Sequence, residues 1–207
     1  DKFHQETLTQ SYLEHYISEN RGGFDSLLQN LERAAEMIRA FKNVAVARLE
    51  GEAQFIRLRE QILQIVQALM PELKRHRIEV DVICPEDLLL HVAPSHLNHM
   101  MSNLMMNSLN HGFAHQSDGR IVIEVYAKVS GVQIIYQDSG QGATPEVIEK
   151  IFEPFFTTRR GQGGTGLGMH IVYNLVTQAL GGSIGCHANP EGGLLFEIYI
   201  PHPERGN

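Results

Sequence analysis

The chain has 207 residues, is 43% hydrophobic and carries a formal net charge of −7, which suits one domain of ordinary size plus an appendage. An acidic balance without basic clusters argues against nucleic acid as the principal partner. No apolar run reaches the roughly 18–20 residues of a membrane span, and no signal peptide is evident.

The chain begins at Asp1 and is expected to be a fragment, a cytoplasmic domain whose membrane attachment, if any, belongs to missing parts of a parent protein. Cys84 and Cys186 lie far apart in apolar, strand-like surroundings and read as reduced core residues.

Residues 1–48 read as a helical segment. Leu13, Ile17, Phe24, Leu27, Leu31, Ala34, Ile38, Phe41 and Ala45 follow alternating four- and three-residue steps interrupted only by Asn20, a heptad seam. Gly22 and Gly23 would each cost about 1 kcal/mol in a helix interior and mark a kink or break. With charged residues flanking it, the seam points to an intermolecular coiled coil or bundle, and so to a homodimer, ahead of a helix packed on its own domain.

Residues 49–207 then read as a second domain. Strand 55–58 precedes an amphipathic helix 59–73 broken near Pro71. Strands 77–83 and 88–92, a helix 94–111 and strands 120–128 and 132–137 follow. A helix 165–180 and a hairpin of strands 182–187 and 194–200 close the chain. The pattern is α+β: a two-layer α/β sandwich with a mixed sheet covered by helices on one face.

In helix 94–111, Leu97, Met100, Met101, Leu104, Met105 and Ser108 keep three- and four-residue steps, and Gly112 is a candidate C-cap. Asn103, Asn107, Asn110 and His111 share another face, a costly choice unless that face meets a polar ligand. Asparagine carbonyls are hard oxygen donors suited to Mg²⁺. His96 and His99 stand three residues apart with no third ligand nearby, so they define no metal site.

Strand 132–137 places Asp138 at its end, followed by Gly140 and Gly142, whose backbone freedom allows close approach to a flat ligand. A carboxylate there accepts from an exocyclic amine such as that of adenine, a charge-assisted bond of about 1.5–3 kcal/mol against about 1 for a neutral one. Guanine presents an oxygen at that edge. Further on, Gly164, Thr165, Gly166, Leu167 and Gly168 run into a helix, leaving free N–H groups for phosphate oxygens. The strip lacks the lysine and the preceding strand of a Walker loop.

Asn103-Leu-x-x-Asn107-Ser, Asp138-x-Gly-x-Gly142, Phe152-Glu-Pro-Phe-Phe156 and Gly164-Thr-Gly-Leu-Gly168 occur in that order. Together they resemble the N, first glycine, F and second glycine boxes of bacterial sensor histidine kinases, in the gyrase, chaperone, kinase and MutL ATPase superfamily. The resemblance implies a Bergerat-type ATP-binding fold, with ATP and Mg²⁺ as cofactors and a response-regulator receiver domain as partner. It implies Asn107 as the Mg²⁺ ligand, Asp138 as the adenine-recognising residue and residues 143–165 as a mobile lid. Asn103, Asn110 and His111 would line the phosphate side, with Arg159 or Arg160 near the lid, and Phe155 and Phe156 would be packing residues that position the lid. Residues 31–41 resemble the second helix of the kinases' dimerisation and phosphotransfer hairpin.

Two departures matter. Hydrolytic superfamily members place a water-activating glutamate where this chain has Asn103, which favours transfer over hydrolysis. No histidine has the acceptor's setting either. His4 lacks the following acid and proline, and His15 lies off the seam, so the acceptor is expected upstream of Asp1. A protein-serine kinase of the anti-sigma-factor type and a catalytically silent nucleotide-gated module are the alternatives.

Overall fold

The computed structural model describes residues 51–114, 116, 118–159 and 164–202, together with positions 23, 24, 27 and 31. Most of the heptad-patterned segment, His4, His15 and Arg160 lie outside the described residues. At the described seam positions, Phe24, Leu27 and Leu31 are helical and exposed.

The catalogue of elements begins with strand β1 (Gln54–Arg57), helix α1 (Leu58–Ala68) and helix α2 (Met70–Arg75). The break expected near Pro71 in helix 59–73 is the boundary between α1 and α2, and Pro71 sits in the first turn of α2, where its missing N–H forfeits no helical bond. Strand β2 (Ile78–Ile83) and strand β3 (Leu89–Val92) follow. β1 and β3 pair antiparallel as a separate two-stranded ribbon.

Helix α3 (Pro94–Asn107) continues into a π-helical turn, Ser108–Gly112. Phe113 N–H donates to the Ser108 carbonyl at 2.8 Å, a five-residue step that closes the turn. Gly112 is thus inside the turn and not its cap. Phe113 occupies the cap and is buried in the core. Such turns inside α-helices occur frequently at functional sites.

Strand β4 (Gly119–Lys128), strand β5 (Gly131–Asp138), strand β6 (Ser183–Ala188) and strand β7 (Leu194–Pro201) join β2 in a five-stranded sheet of order β2-β4-β5-β7-β6. β2 lies parallel to β4, and the other pairings are antiparallel, so the sheet is mixed. Period-two patterning sends Ile121, Ile123, Val132, Ile134, Phe196 and Ile198 into the core. Glu79, Tyr126 and Glu197 stay exposed.

Across the central strands Ile123, Tyr136 and Phe196 are register partners, and the Tyr136 and Phe196 rings meet edge-on at 6.1 Å. Helix α3 adds Leu97, Met100, Met101, Leu104 and Met105 to the same core. Full burial of each such side chain contributes about 1.5–3 kcal/mol. This packing fixes α3 over the sheet, with its asparagine face turned elsewhere.

Two helices remain. Helix α4 (Pro145–Lys150) lies inside the segment expected to be lid, and helix α5 (Gly168–Asn174) runs into a second π turn, Leu175–Ala179. α3 and α5 lie in contact. Pro145 at the start of α4, Glu146 in its first turn and Lys150 in its last are the helix signals that mark it in the sequence.

Candidate functional site

Asp138 ends the central strand β5 and is 2% exposed. Three hydrogen bonds orient its carboxylate. Oδ1 accepts from Gly140 N–H at 3.0 Å and from Leu194 N–H at 3.2 Å, and Oδ2 accepts from Ser108 Oγ at 2.6 Å. Tyr136 O–H donates in turn to Ser108 Oγ at 2.9 Å. Three donors leave one acceptor position of a carboxylate's roughly four. Since Asp138 lines the cavity described below, a ligand amine can take it.

Burial holds the Tyr136 hydroxyl well above its ordinary pKa, with Ser108 opposing and Asp138 reinforcing the rise. Cys186 is pushed up to about 12, by burial first and by Asp138 second. Both groups therefore stay protonated around Asp138 at neutral pH. Both cysteines are free thiols, Cys84 half-buried and Cys186 buried.

Gly193, at φ +83°, lies against the same carboxylate, where a Cβ would overlap the Asp138 carbonyl oxygen. The β6–β7 turn can approach Asp138 only with glycine there.

A cavity of about 430 Å³ opens beside Asp138. Asn103, Asn107, Asn110 and His111 line it from α3 and its π turn, and Gly142 lines it from the loop after β5. Gly164, Thr165, Gly166 and Gly168 line it from the second glycine strip. These predicted residues, drawn from three separate stretches between Asn103 and Gly168, are thereby brought together. Gly140 and Leu167 are buried but are not among the lining residues, and Gly140 acts instead as a backbone donor to Asp138.

The rim is tied by polar contacts. The Arg159 guanidinium donates to the Asn110 carbonyl, and His111 Nδ1 lies 3.1 Å from Thr158 Oγ1. Burial first, then the neighbouring Arg159 charge, hold the His111 pKa below its ordinary value. Gln141 braces the first glycine loop, donating through its backbone N–H to Gly112 and through Nε2 to the His111 carbonyl, both at 2.9 Å.

Of the two aromatics expected to pack and position the lid, Phe156 lines the cavity but Phe155 is 51% exposed at φ +65°. The packing aromatic is Phe152, whose ring lies 5.5 Å from that of Tyr173 and 6.4 Å from that of Phe196. Ser108, which the sequence marks only as part of a motif, and Tyr136 and Leu194, to which it gives no role, complete the surroundings of Asp138.

The residues fit a hard divalent cation. Asn107 lines the cavity with a carboxamide that no described residue engages. Among the described residues no cluster of three or more His, Cys, Asp or Glu could hold a metal. A cation at Asn107 would complete its shell with water and phosphate oxygens, as Mg²⁺ does.

The mixed five-stranded sheet packed with helices matches the fold of histidine kinase ATP-binding domains. Residues 92–204 match the family described as histidine kinase-, DNA gyrase B-, and HSP90-like ATPase, and the chain belongs to it.

The sensor histidine kinase ZraS of Salmonella typhimurium is 32% identical over 152 residues, which are 72% of this chain and 31% of ZraS. The chain thus spans about a third of that relative's length. The catalytic domain of histidine kinase ThkA superposes with a TM-score of 0.65 at 26% identity, covering 72% of this chain and 95% of that domain. ThkA in complex with the response regulator protein TrrA matches with a TM-score of 0.63 at 20% identity, covering 100% of this chain and 55% of ThkA, a likeness of fold.

Proposed function

We propose that this chain is the kinase domain of a two-component sensor histidine kinase. It transfers the γ-phosphoryl of Mg-ATP to a histidine on a dimerisation helix, for relay to an aspartate of a response-regulator receiver domain. The observation that carries the reading is the Asp138 carboxylate, buried, held by three donors and facing the cavity.

Each wall has a task. Asp138 accepts the exocyclic amine of adenine, and the Ser108 and Tyr136 hydroxyls keep its oxygens aimed. Amides at the start of α5 have no acceptor within the helix and suit phosphate oxygens. Asn107 holds Mg²⁺, which when bound neutralises charge on those oxygens. Asn103 Nδ2 donates to the His99 carbonyl at 2.7 Å. A carboxamide so held cannot deprotonate water, which favours transfer to an imidazole nitrogen over hydrolysis.

Exposure of Phe24, Leu27 and Leu31 at heptad spacing supports a homodimer through the N-terminal segment. ThkA, which is solved with a response regulator, supports the receiver-domain partner. Among the described residues no helix is long and apolar enough to cross a membrane.

Calorimetry with Mg-ATP and Mg-GTP tests the reading. ATP should bind at least about tenfold more tightly, and Asp138→Asn should abolish the preference, as loss of one charge-assisted bond requires. Equal affinity of the unsubstituted chain for both nucleotides would remove the adenine assignment.

A further inference from the structure

His170 sits in the first turn of α5, two residues beyond Gly168 on the cavity wall. Its Nδ1 lies 3.0 Å from the Phe152 carbonyl oxygen, and its Nε2 lies 3.0 Å from Asn174 Nδ2 one turn further along the helix. A carbonyl oxygen can only accept, so Nδ1 carries the proton and donates. Nε2 then accepts from the Asn174 amide. The imidazole is thus bonded at both nitrogens.

Phe152 marks the root of the segment that supplies Phe156, Thr157 and Thr158 to the cavity. Its ring is fixed by Tyr173, also on α5, and by Phe196, while its carbonyl is fixed by His170. Further along, Gly166, at φ +68°, lies so close to the backbone of Phe155 and Phe156 that a Cβ would overlap it. Helix α5 therefore grips this segment by side-chain stacking and by the imidazole bond, and the glycine strip before it adds backbone apposition at Gly166. Of these, only the imidazole bond is directional, and it lies two residues from Gly168, which lines the cavity.

We infer that His170 is a positioning residue for nucleotide binding, its Nδ1–H bond to the Phe152 carbonyl holding residues 152–158 in register with the start of α5. The inference rests on the nucleotide reading of the cavity. His170 touches no ligand on this account. It acts through Phe152, whose carbonyl sets the tautomer, and Asn174 holds the other ring nitrogen.

The test compares the unsubstituted chain with His170→Ala and His170→Asn. Asparagine places a donor nitrogen where Nδ1 stood but cannot engage Asn174. Without nucleotide, amide hydrogen exchange in 152–158 should rise about tenfold in His170→Ala, the effect of one lost bond. Amides of β4 and β5 should not change, which controls for folding. His170→Asn should restore slow exchange, and nitrogen-detected spectra of the unsubstituted chain should show the Nδ1–H tautomer.

Mg-ATP affinity should fall about tenfold in His170→Ala and recover in His170→Asn. Unchanged exchange at 152–158 in His170→Ala would overturn the inference, as would an asparagine variant as impaired as the alanine one. If no form binds Mg-ATP, the nucleotide reading fails, and with it the functional part of the inference. The exchange comparison would still decide whether His170 holds the segment.

Discussion

Ser108 Oγ donates a 2.6 Å hydrogen bond to Asp138 Oδ2, joining two residues 30 positions apart, and both are buried. Among the described residues they are the two polar side chains of the core apart from the tyrosine hydroxyl that completes their chain. Every described buried side-chain nitrogen and oxygen has a partner, so removing one link leaves a defined orphan.

Ser108→Ala strands the Tyr136 hydroxyl and takes a donor from Asp138. A buried unsatisfied group costs about 1–3 kcal/mol, so urea denaturation should show a loss of about 2 kcal/mol. Adding Tyr136→Phe removes the orphan and should recover about 1 kcal/mol of it. A double variant less stable than Ser108→Ala would contradict the chain of bonds.

Asn107→Ala should remove the Mg²⁺ dependence of ATP binding while adenosine affinity stays within about twofold, because the base and the phosphates are held by different walls. Titrations with Mg²⁺ and with a chelator measure this. An undiminished Mg²⁺ dependence would exclude Asn107 as the ligand.

His111 gives a pH dependence. Its folded pKa is depressed from the ordinary 6.5, by burial and then by Arg159, so the unfolded chain binds the proton first as pH falls. Above the ordinary value both states are neutral and the group has no effect. Below it, stability is lost progressively until the depressed folded value is passed. His111→Gln should therefore narrow the stability difference between pH 7.5 and pH 5.5 seen by urea denaturation. The same pH difference in both proteins would refute the shift.

The sequence is legible where a functional requirement repeats at a fixed spacing. Asn103, Asn107, Asn110 and His111 share a face because helix geometry demands it, and Asp138 follows a run of β-branched and aromatic residues that ends a strand. The π turn at Ser108–Gly112 escapes such reading, since one extra residue in the hydrogen-bond step leaves the apolar pattern nearly unchanged. Ser108 reads as one more small residue on an apolar stripe, and Tyr136 as an ordinary core aromatic. Their roles arise only when register brings β5 beneath α3. The Leu194 N–H bond to Asp138 spans 56 residues, a separation at which local pattern carries no information. α4 was legible in principle, from Pro145, Glu146 and Lys150, but glycines around it dominate the reading of that segment.

Incubation with γ-labelled Mg-ATP, with and without an acceptor-helix hairpin supplied in trans, tests the central claim most directly. The chain alone should bind ATP and neither hydrolyse it appreciably nor label itself, because Asn103 offers no base and no histidine here has the acceptor's setting. With the hairpin, label should appear on histidine, lost in acid and retained in base. Acid-stable, base-labile label would contradict the account in favour of a serine kinase, and label on His4 or His15 of the chain alone would overturn the placement of the acceptor.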